Sequence, residues 1–271
     1  MGIKEILILA ITLGIVLSSN NRDLSSSTKD KEVEKVKGDS IAEIVTNRPS
    51  ELRRIEFSNY NWLIKDSEQQ RVGPKSNYFS DSKRNVWVDS EGQLHLKIIR
   101  RKRGWYCAEV ISEKSFGYGK YIFYVASRVD QLDKNVVSGL FIWDDSSGDN
   151  HREIDIEFSK WSKKEGKNAQ FAIQPSTRPG NTHKLNIQLE ENYSTHSFDW
   201  KEENIFFQSL YGHYPSPPAD NYVIESWNYT GESISEPGNE KVRINLWLIE
   251  GSSSPDDMEA EIIIKKFEFV P

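Results

Sequence analysis

The feature that most constrains the fold is a succession of short extended segments running from about residue 52 to the end of the chain. Runs of β-branched and aromatic residues alternate there with turn signals, and no long stretch has the 3.6-residue period of a helix. The predicted strands are 94–99, 121–125, 139–143, 153–158, 184–189, 196–200, 205–210, 242–249 and 261–270. The pattern predicts an all-β sandwich or jelly roll, with loops at 211–218 and 231–240.

The first 51 residues differ in composition from the rest of the chain. An apolar run at 6–17 follows Lys4 and precedes small residues, and it is shorter than the ~20 residues that a membrane span needs. We expect 1–19 to be a signal peptide, with an N-terminal anchor as the alternative. The polar stretch 20–51 is predicted to be a flexible linker, and 52–271 to be one domain. The expected location is secreted, periplasmic or cell-surface.

Net charge, cysteine content and tryptophan content further limit the kinds of protein that this chain can be. The net charge is −6, with a sequence pI of about 5.5, which argues against a nucleic-acid partner because such proteins normally present a basic face. The only cysteine is Cys107, so the chain has no intramolecular disulfide and depends on its core for stability. Eight tryptophans exceed ordinary usage, and sugar-binding clefts need such flat apolar platforms. We expect a monomer.

Three acids alternate along the predicted strand 153–158. Residues i, i+2 and i+4 of a strand share one face, so Glu153, Asp155 and Glu157 point the same way and crowd one another. Four steps of ~3.3 Å separate the glutamates by about 13 Å at Cα, a gap that two leaning side chains can largely close. Retaining glycosidases need about 5–5.5 Å between their carboxyl groups. A solvated strand face and a calcium site are the alternative interpretations.

Several motifs, in order, resemble those of glycoside hydrolase family 16. The strand Glu-Ile-Asp-Ile-Glu-Phe at 153–158 resembles the family's E-x-D-x-E catalytic strand. The similar segments around it are Phe-Gly-Tyr-Gly-Lys-Tyr at 116–121, Gly-Leu-Phe-Ile-Trp at 139–143, Ala-Gln-Phe at 169–171, His-Ser-Phe-Asp-Trp at 196–200 and Asn-Leu-Trp at 245–247. The resemblance covers about 55–271. It implies a jelly roll of two antiparallel sheets whose concave face forms a polysaccharide cleft.

The resemblance also implies roles for individual residues. Glu153 would be the nucleophile, Glu157 the general acid/base, and Asp155 the support of the nucleophile. The positions that would line the sugar subsites are Phe141, Trp143, Asn245 and Trp247, with Gln170 as a further cleft candidate. No cofactor is required by this chemistry. Some family members carry a structural calcium ion, which the sequence of this chain does not assign.

Departures from the lichenase pattern leave the substrate open. Ile122 replaces a glutamate, and Ala172 and Gln174 stand where lichenases have asparagine and tyrosine. We therefore expect an endo-acting retaining glycosidase of unassigned polysaccharide and linkage. The alternatives are a non-catalytic carbohydrate-binding jelly roll and a transglycosylase that passes the sugar to another sugar.

Overall fold

The computed structural model describes residues 52–148, 150–249 and 258–271. The predictions of a signal peptide or anchor at 1–19 and a linker at 20–51 lie outside the described residues. Within the described part of the chain, no helix is long and apolar enough to cross a membrane. Helical structure there is limited to three single 3-10 turns, at Val129–Gln131, Asn150–Arg152 and Asp220–Tyr222.

The first of two sheets, sheet I, carries the acidic strand near its centre. Its strands, in spatial order, are β11 (Thr182–Leu185), β10 (Ala169–Ile173), β9 (Ile154–Phe158), β8 (Val136–Trp143), β15 (Lys241–Leu248), β6 (Gly104–Ser112), β2 (Tyr60–Ile64) and β1 (Arg54–Phe57). Every pairing in this sheet is antiparallel.

The second sheet, sheet II, is also antiparallel. Its strands, in spatial order, are β4 (Val86–Val88), β5 (Leu94–Arg101), β16 (Ala260–Val270), β7 (Gly119–Ala126), β12 (Tyr193–Trp200), β13 (Ile205–Tyr211) and β14 (Val223–Tyr229). The β5–β6 hairpin connects the two sheets, and the short strand β3 (Tyr78–Phe79) runs parallel to β6 beside it. The predicted jelly roll of two antiparallel sheets is confirmed.

The core lies between the two sheets and is rich in aromatic rings. Phe171 of sheet I stacks on Phe207 of sheet II, with ring centroids 5.0 Å apart. Trp200 and Phe198 are both fully buried. Because alternate residues of a strand point to opposite faces, burying one face of sheet I directs the other face, including the acids of β9, outward.

The predicted strand 184–189 is wrong at both ends. The strand begins at Thr182 and ends at Leu185. Ile187 and Leu189 are buried, so the alternating pattern is real. Their backbone N–H groups, however, donate to the side chains of Asn168 and Asp130 rather than to a neighbouring strand. The segment therefore packs like a strand without pairing like one. The loops predicted at 211–218 and 231–240 contain no strand beyond Tyr211, which ends β13.

Candidate active site

The three acids occupy the outward face of β9, as the alternation predicts. Ile154, Ile156 and Phe158 are at most 3% exposed and point into the core. Asp155 is buried, whereas Glu153 and Glu157 on either side of it are half-buried. Glu153 directly precedes the assigned strand, and its carbonyl accepts a hydrogen bond of 3.1 Å from the backbone N–H of Gln174. The two glutamates thus open onto the same surface, with Asp155 recessed between them.

Glu157 lies in a row of side-chain positions that crosses five strands. The antiparallel register aligns Glu109 of β6 with Asn245, Asn245 with Gly139, Gly139 with Glu157, and Glu157 with Gln170. Neighbouring strands are about 4.8 Å apart, so this row forms a polar band across the sheet. A chain of sugars lying across the strands would meet each of these positions in turn.

Asp155 is held as the proton-donating partner of Glu153. A hydrogen bond joins the two carboxyl groups, and it lowers the pKa of Glu153 while raising that of Asp155. Burial, together with the charges of Glu153 and Glu157, raises the pKa of Asp155 well above its usual range. Gln174 donates to Asp155 Oδ2 at 3.1 Å and fixes the orientation of the carboxyl group. Asp155 therefore retains a proton that it can donate toward Glu153.

The two glutamates differ in their surroundings. Burial and the charge of Glu157 raise the pKa of Glu153 to about 8, against the lowering effects of Asp155 and Arg243. Burial likewise raises the pKa of Glu157, whose Oε2 accepts a 2.7 Å hydrogen bond from Gln170 Nε2. Both pKa values are thus raised, and the hydrogen-bond partners, Asp155 for Glu153 and Gln170 for Glu157, are what distinguish the two carboxyl groups.

A pocket of about 310 Å³ opens beside the acids, within the range of small-ligand sites. Its wall contains all three acids and four of the predicted sugar-contacting residues, Phe141, Trp143, Asn245 and Trp247. Gln170 does not line this pocket; it lies beside Glu157 on the next strand, β10, and donates a hydrogen bond to it. The structure therefore gathers all eight predicted residues around one surface of sheet I.

The Trp143 ring is partly covered rather than free on both faces. It stacks on His151, with ring centroids 3.9 Å apart and an interplanar angle of 11°. His151 belongs to the turn Asn150–Arg152, whose three residues all have φ between 44° and 57°. Arg152 pairs with buried Asp144 at 2.8 Å and anchors this turn. The turn positions both the Trp143 platform and the start of the acidic strand.

Asn245 requires a glycine on the neighbouring strand. Its Oδ1 accepts a 3.0 Å hydrogen bond from the Gly139 backbone, and a Cβ at Gly139 would lie 2.7 Å from the same oxygen. The side chain of Asn245 therefore lies over β8, between Glu109 and Glu157.

Four functional candidates were missed by sequence reasoning. Glu109 is buried and pairs with Arg243 at 3.1 Å and with Lys65 at 2.9 Å, and all three line the pocket. Arg243 precedes Asn245 by two residues, so strand alternation could have placed it on the pocket face. Glu109 is a lone carboxylate within an apolar run, which is a weaker signal. Gln174 was noted only as a departure from the lichenase pattern, because its contact with Asp155 depends on the path of the chain after β10.

Among residues 52–148, 150–249 and 258–271, no group of three His, Cys, Asp or Glu side chains is arranged to hold a metal ion. Calcium also binds backbone and amide carbonyl oxygens, so a structural calcium ion stays an unassigned prediction. No step below involves a metal.

A jelly roll with paired carboxyl groups beside aromatic rings on one sheet face is a carbohydrate-active architecture. The family model for glycosyl hydrolases family 16 matches residues 73–208, just over half of the 271 residues. The chain belongs to glycosyl hydrolases family 16.

Solved structures share the fold. A Bacillus licheniformis β-glucanase matches with a TM-score of 0.56 and 20% identity over 83% of this chain and 100% of that one. A laminarinase from Flavobacterium sp. UMI-01 matches with a TM-score of 0.57 and 15% identity, over 78% of this chain and 93% of that one. A family 16 endo-glucanase from Bacteroides ovatus matches with a TM-score of 0.56 and 16% identity, over 77% of this chain and 94% of that one. At these identities the likeness establishes the fold. Comparison with curated proteins gave no match.

Proposed function

We propose that this protein is a secreted, endo-acting glycoside hydrolase that cleaves a polysaccharide with retention of anomeric configuration. The observation that carries the proposal is that the three acids at β9 have different surroundings and hydrogen-bond partners. Buried Asp155 donates a hydrogen bond to Glu153, and Glu157 opens separately onto the same pocket. Retaining hydrolysis needs one carboxylate as nucleophile and one carboxylic acid as proton donor.

In the first step, the Glu153 carboxylate attacks the anomeric carbon and forms a glycosyl ester. The bond between that carbon and the leaving oxygen breaks, and Glu157 transfers its proton to the leaving oxygen. Burial raises the pKa of Glu153 to about 8, and the hydrogen bond from Asp155 and the positive charge of Arg243 act in the opposite direction. The attacking carboxylate is therefore the minority ionised form below that pH, and its share grows as pH rises. The raised pKa of Glu157 keeps its proton available for the leaving group.

In the second step, Glu157 acts as a base. It takes a proton from water, and the resulting hydroxide oxygen bonds to the anomeric carbon as the ester bond to Glu153 breaks. Both carboxyl groups then return to their starting protonation states. Two inversions at the same carbon give net retention.

The proposed substrate class is a β-glucan. The names of the structural neighbours support it: one is a β-glucanase and another a laminarinase. The wall of Phe141, Trp143 and Trp247 supplies the flat apolar contacts that sugar rings use. We further propose that residues 1–19 direct export, which N-terminal sequencing of the secreted protein would test. We also propose that the protein is a monomer, which light scattering would test.

The test is hydrolysis by three single variants, Glu153→Gln, Glu157→Gln and the exposed control Glu203→Gln. Reducing-sugar release is measured on soluble β-glucans, agars and carrageenans. We expect the first two variants to lose at least about 1,000-fold in kcat/KM without a lower Tm, because each removes one chemical step. The control should match wild type. Wild-type activity in Glu153→Gln would overturn the mechanism.

Product analysis separates the alternatives within the same fold. Proton NMR of the first products should show the anomeric configuration of the substrate. Mass spectrometry would reveal elongated oligosaccharides if the glycosyl group passes to sugar rather than water. Binding to a polysaccharide with no bond cleavage on any substrate would identify a non-catalytic carbohydrate-binding protein instead.

A further inference from the structure

A basic surface lies at the edge of sheet II, beside strands β4 and β5 and on the β5–β6 hairpin, and its cations do not line the pocket of the candidate active site. We name it the basic edge and define it by Lys83, Arg84, Lys97, Arg101, Lys102 and Arg103. The net charge of the chain is −6, yet the segments 82–88 and 92–108 contain no Asp or Glu. Positive charge is therefore segregated here against the overall balance.

One buried side chain brings the two basic segments together. Asn85 is fully buried and donates to the carbonyls of Lys97, at 2.8 Å, and Tyr106, at 2.9 Å. Its Oδ1 accepts a 2.6 Å hydrogen bond from Arg101 Nη2. The turn carrying Lys83 and Arg84 is thus tied to β5 and to the β5–β6 hairpin.

The cations of the basic edge are largely available. Lys83, Arg84, Lys102 and Arg103 are exposed. Within the described part of the chain, Lys83, Arg84 and Lys102 make no ion pair, and Lys97 pairs with Glu259 at 3.2 Å. Exposed like charges repel one another, so clustering them costs stability unless an anionic partner offsets it.

An aromatic ring borders these cations. Trp87 of β4 is half-buried and stacks by one face on His95, with ring centroids 4.6 Å apart and an interplanar angle of 13°. Trp87 also lines a shallow pocket of about 320 Å³ together with Lys83, Arg84, Lys97, Ile99 and Glu259, the last of which pairs with Lys97. Stacking on His95 holds the indole ring flat against the sheet. A flat ring with the cations Lys83 and Arg84 at its side, both unpaired among the described residues, combines an apolar platform with charge recognition.

We propose that the basic edge and Trp87 form a second carbohydrate-binding site, specific for an anionic polysaccharide that carries sulfate or carboxylate groups. The Trp87 ring packs against a sugar face, and Lys83 and Arg84 pair with the acidic substituents. The hairpin cations Arg101, Lys102 and Arg103 extend the site to further repeats of the polymer. The site tethers the protein to a charged polymer and takes no part in bond cleavage.

Affinity electrophoresis of the full-length protein tests the proposal. Dextran sulfate, polygalacturonate and neutral dextran are the probes, at about 0.05 M salt, where surface charges are weakly screened. Wild type should bind at least one polyanion and ignore neutral dextran. Trp87→Ala and the double variant Lys83→Gln/Arg84→Gln should each weaken that binding about tenfold, and Trp87→Phe should restore part of it.

A matched charge change provides the control. Lys163→Gln/Lys164→Gln removes the same two charges from the exposed loop between β9 and β10 and should leave binding unchanged. Equal weakening by both double variants, or no binding of either polyanion by wild type, would overturn the proposal. Hydrolysis of a short soluble oligosaccharide should be unaffected by Trp87→Ala. The binding readout therefore stands even if the proposed hydrolase activity fails.

Discussion

At the scale of single residues, the crowded carboxyl groups of β9 oppose stability. Burial raises the pKa of Glu153 to about 8, whereas an unfolded glutamate titrates near pH 4.3. Between those pH values the unfolded chain releases a proton that the folded chain retains. Stability contributed by the protonated form is therefore present in acid and is lost as pH rises toward 8. The proposed nucleophilic role of the ionised Glu153 would account for keeping a group that costs stability at neutral pH.

The variant Glu153→Gln should remove that pH dependence. Its Tm should equal that of wild type near pH 4 and exceed it by several degrees at pH 8, because glutamine has no proton to lose. Differential scanning calorimetry across this range measures the effect. The exposed Glu203→Gln variant is the control and should keep a constant offset from wild type. A Tm difference that narrows toward pH 8 would contradict the assignment.

Arg243 should adjust the pH profile through Glu153. Its charge lowers the pKa of Glu153, so Arg243→Met should shift the acidic limb of the kcat/KM profile to higher pH. Removing a buried ion-pair partner also costs stability, up to about 3–5 kcal/mol, although Lys65 still pairs with Glu109. Arg243→Lys keeps the positive charge, so the acidic limb of its kcat/KM profile should stay near the wild-type pH. A similar shift in both variants would point to a purely structural role.

At the scale of elements, the contact between β8 and β15 shapes the cleft. Gly139→Ala places a methyl group 2.7 Å from Asn245 Oδ1, so the asparagine must move out of the polar band. We expect a destabilisation of about 1–3 kcal/mol and a higher KM for the polysaccharide. Gly148→Ala, whose Cβ meets nothing within 4 Å, is the matched control. Unchanged KM in Gly139→Ala would show that Asn245 does not contact the substrate.

Strand alternation accounts for what the sequence could predict. It correctly directed Glu153, Asp155 and Glu157 to one face and Ile154 and Ile156 to the other, because that depends only on neighbours along one strand. Contacts between strands depend on how neighbouring strands are aligned, and the sequence of one strand alone does not determine that alignment.

The misplaced strand and the missed residues share that cause. The buried pattern at Ile187 and Leu189 looks like a strand, but side chains of Asn168 and Asp130 take the hydrogen bonds that a neighbouring strand would have taken. Gln174 likewise reaches Asp155 only because β10 pairs with β9 in one particular register.

At the scale of the whole molecule, stability rests on the core between the sheets. The single cysteine, Cys107, is buried and free, and burial raises the pKa of its thiol to about 12. No described group of side chains is arranged to hold a metal. We therefore expect a chelator to leave the Tm unchanged, as measured by differential scanning fluorimetry with and without added calcium. A drop in Tm that calcium reverses would reveal a structural calcium ion.

The two sheets carry separate surfaces on their outward faces. The acids of β9 and their aromatic wall lie on sheet I, and the basic edge with Trp87 lies on sheet II. The β5–β6 hairpin joins the sheets and contributes residues to both surfaces, Glu109 to the first and Arg101 to the second. We therefore expect substitutions to alter the proposed cleavage and the proposed polymer attachment independently.

The most direct measurement of the central claim is the position of a trapped glycosyl group. A 2-deoxy-2-fluoro β-glucan oligosaccharide with a dinitrophenyl leaving group should form an ester that hydrolyses slowly, since fluorine destabilises the positive charge that develops in both steps. Intact mass spectrometry followed by peptide mapping then locates the adduct. The account predicts one glycosyl group, on Glu153. An adduct on Glu157, or turnover of the reagent with no adduct on either residue, would contradict it.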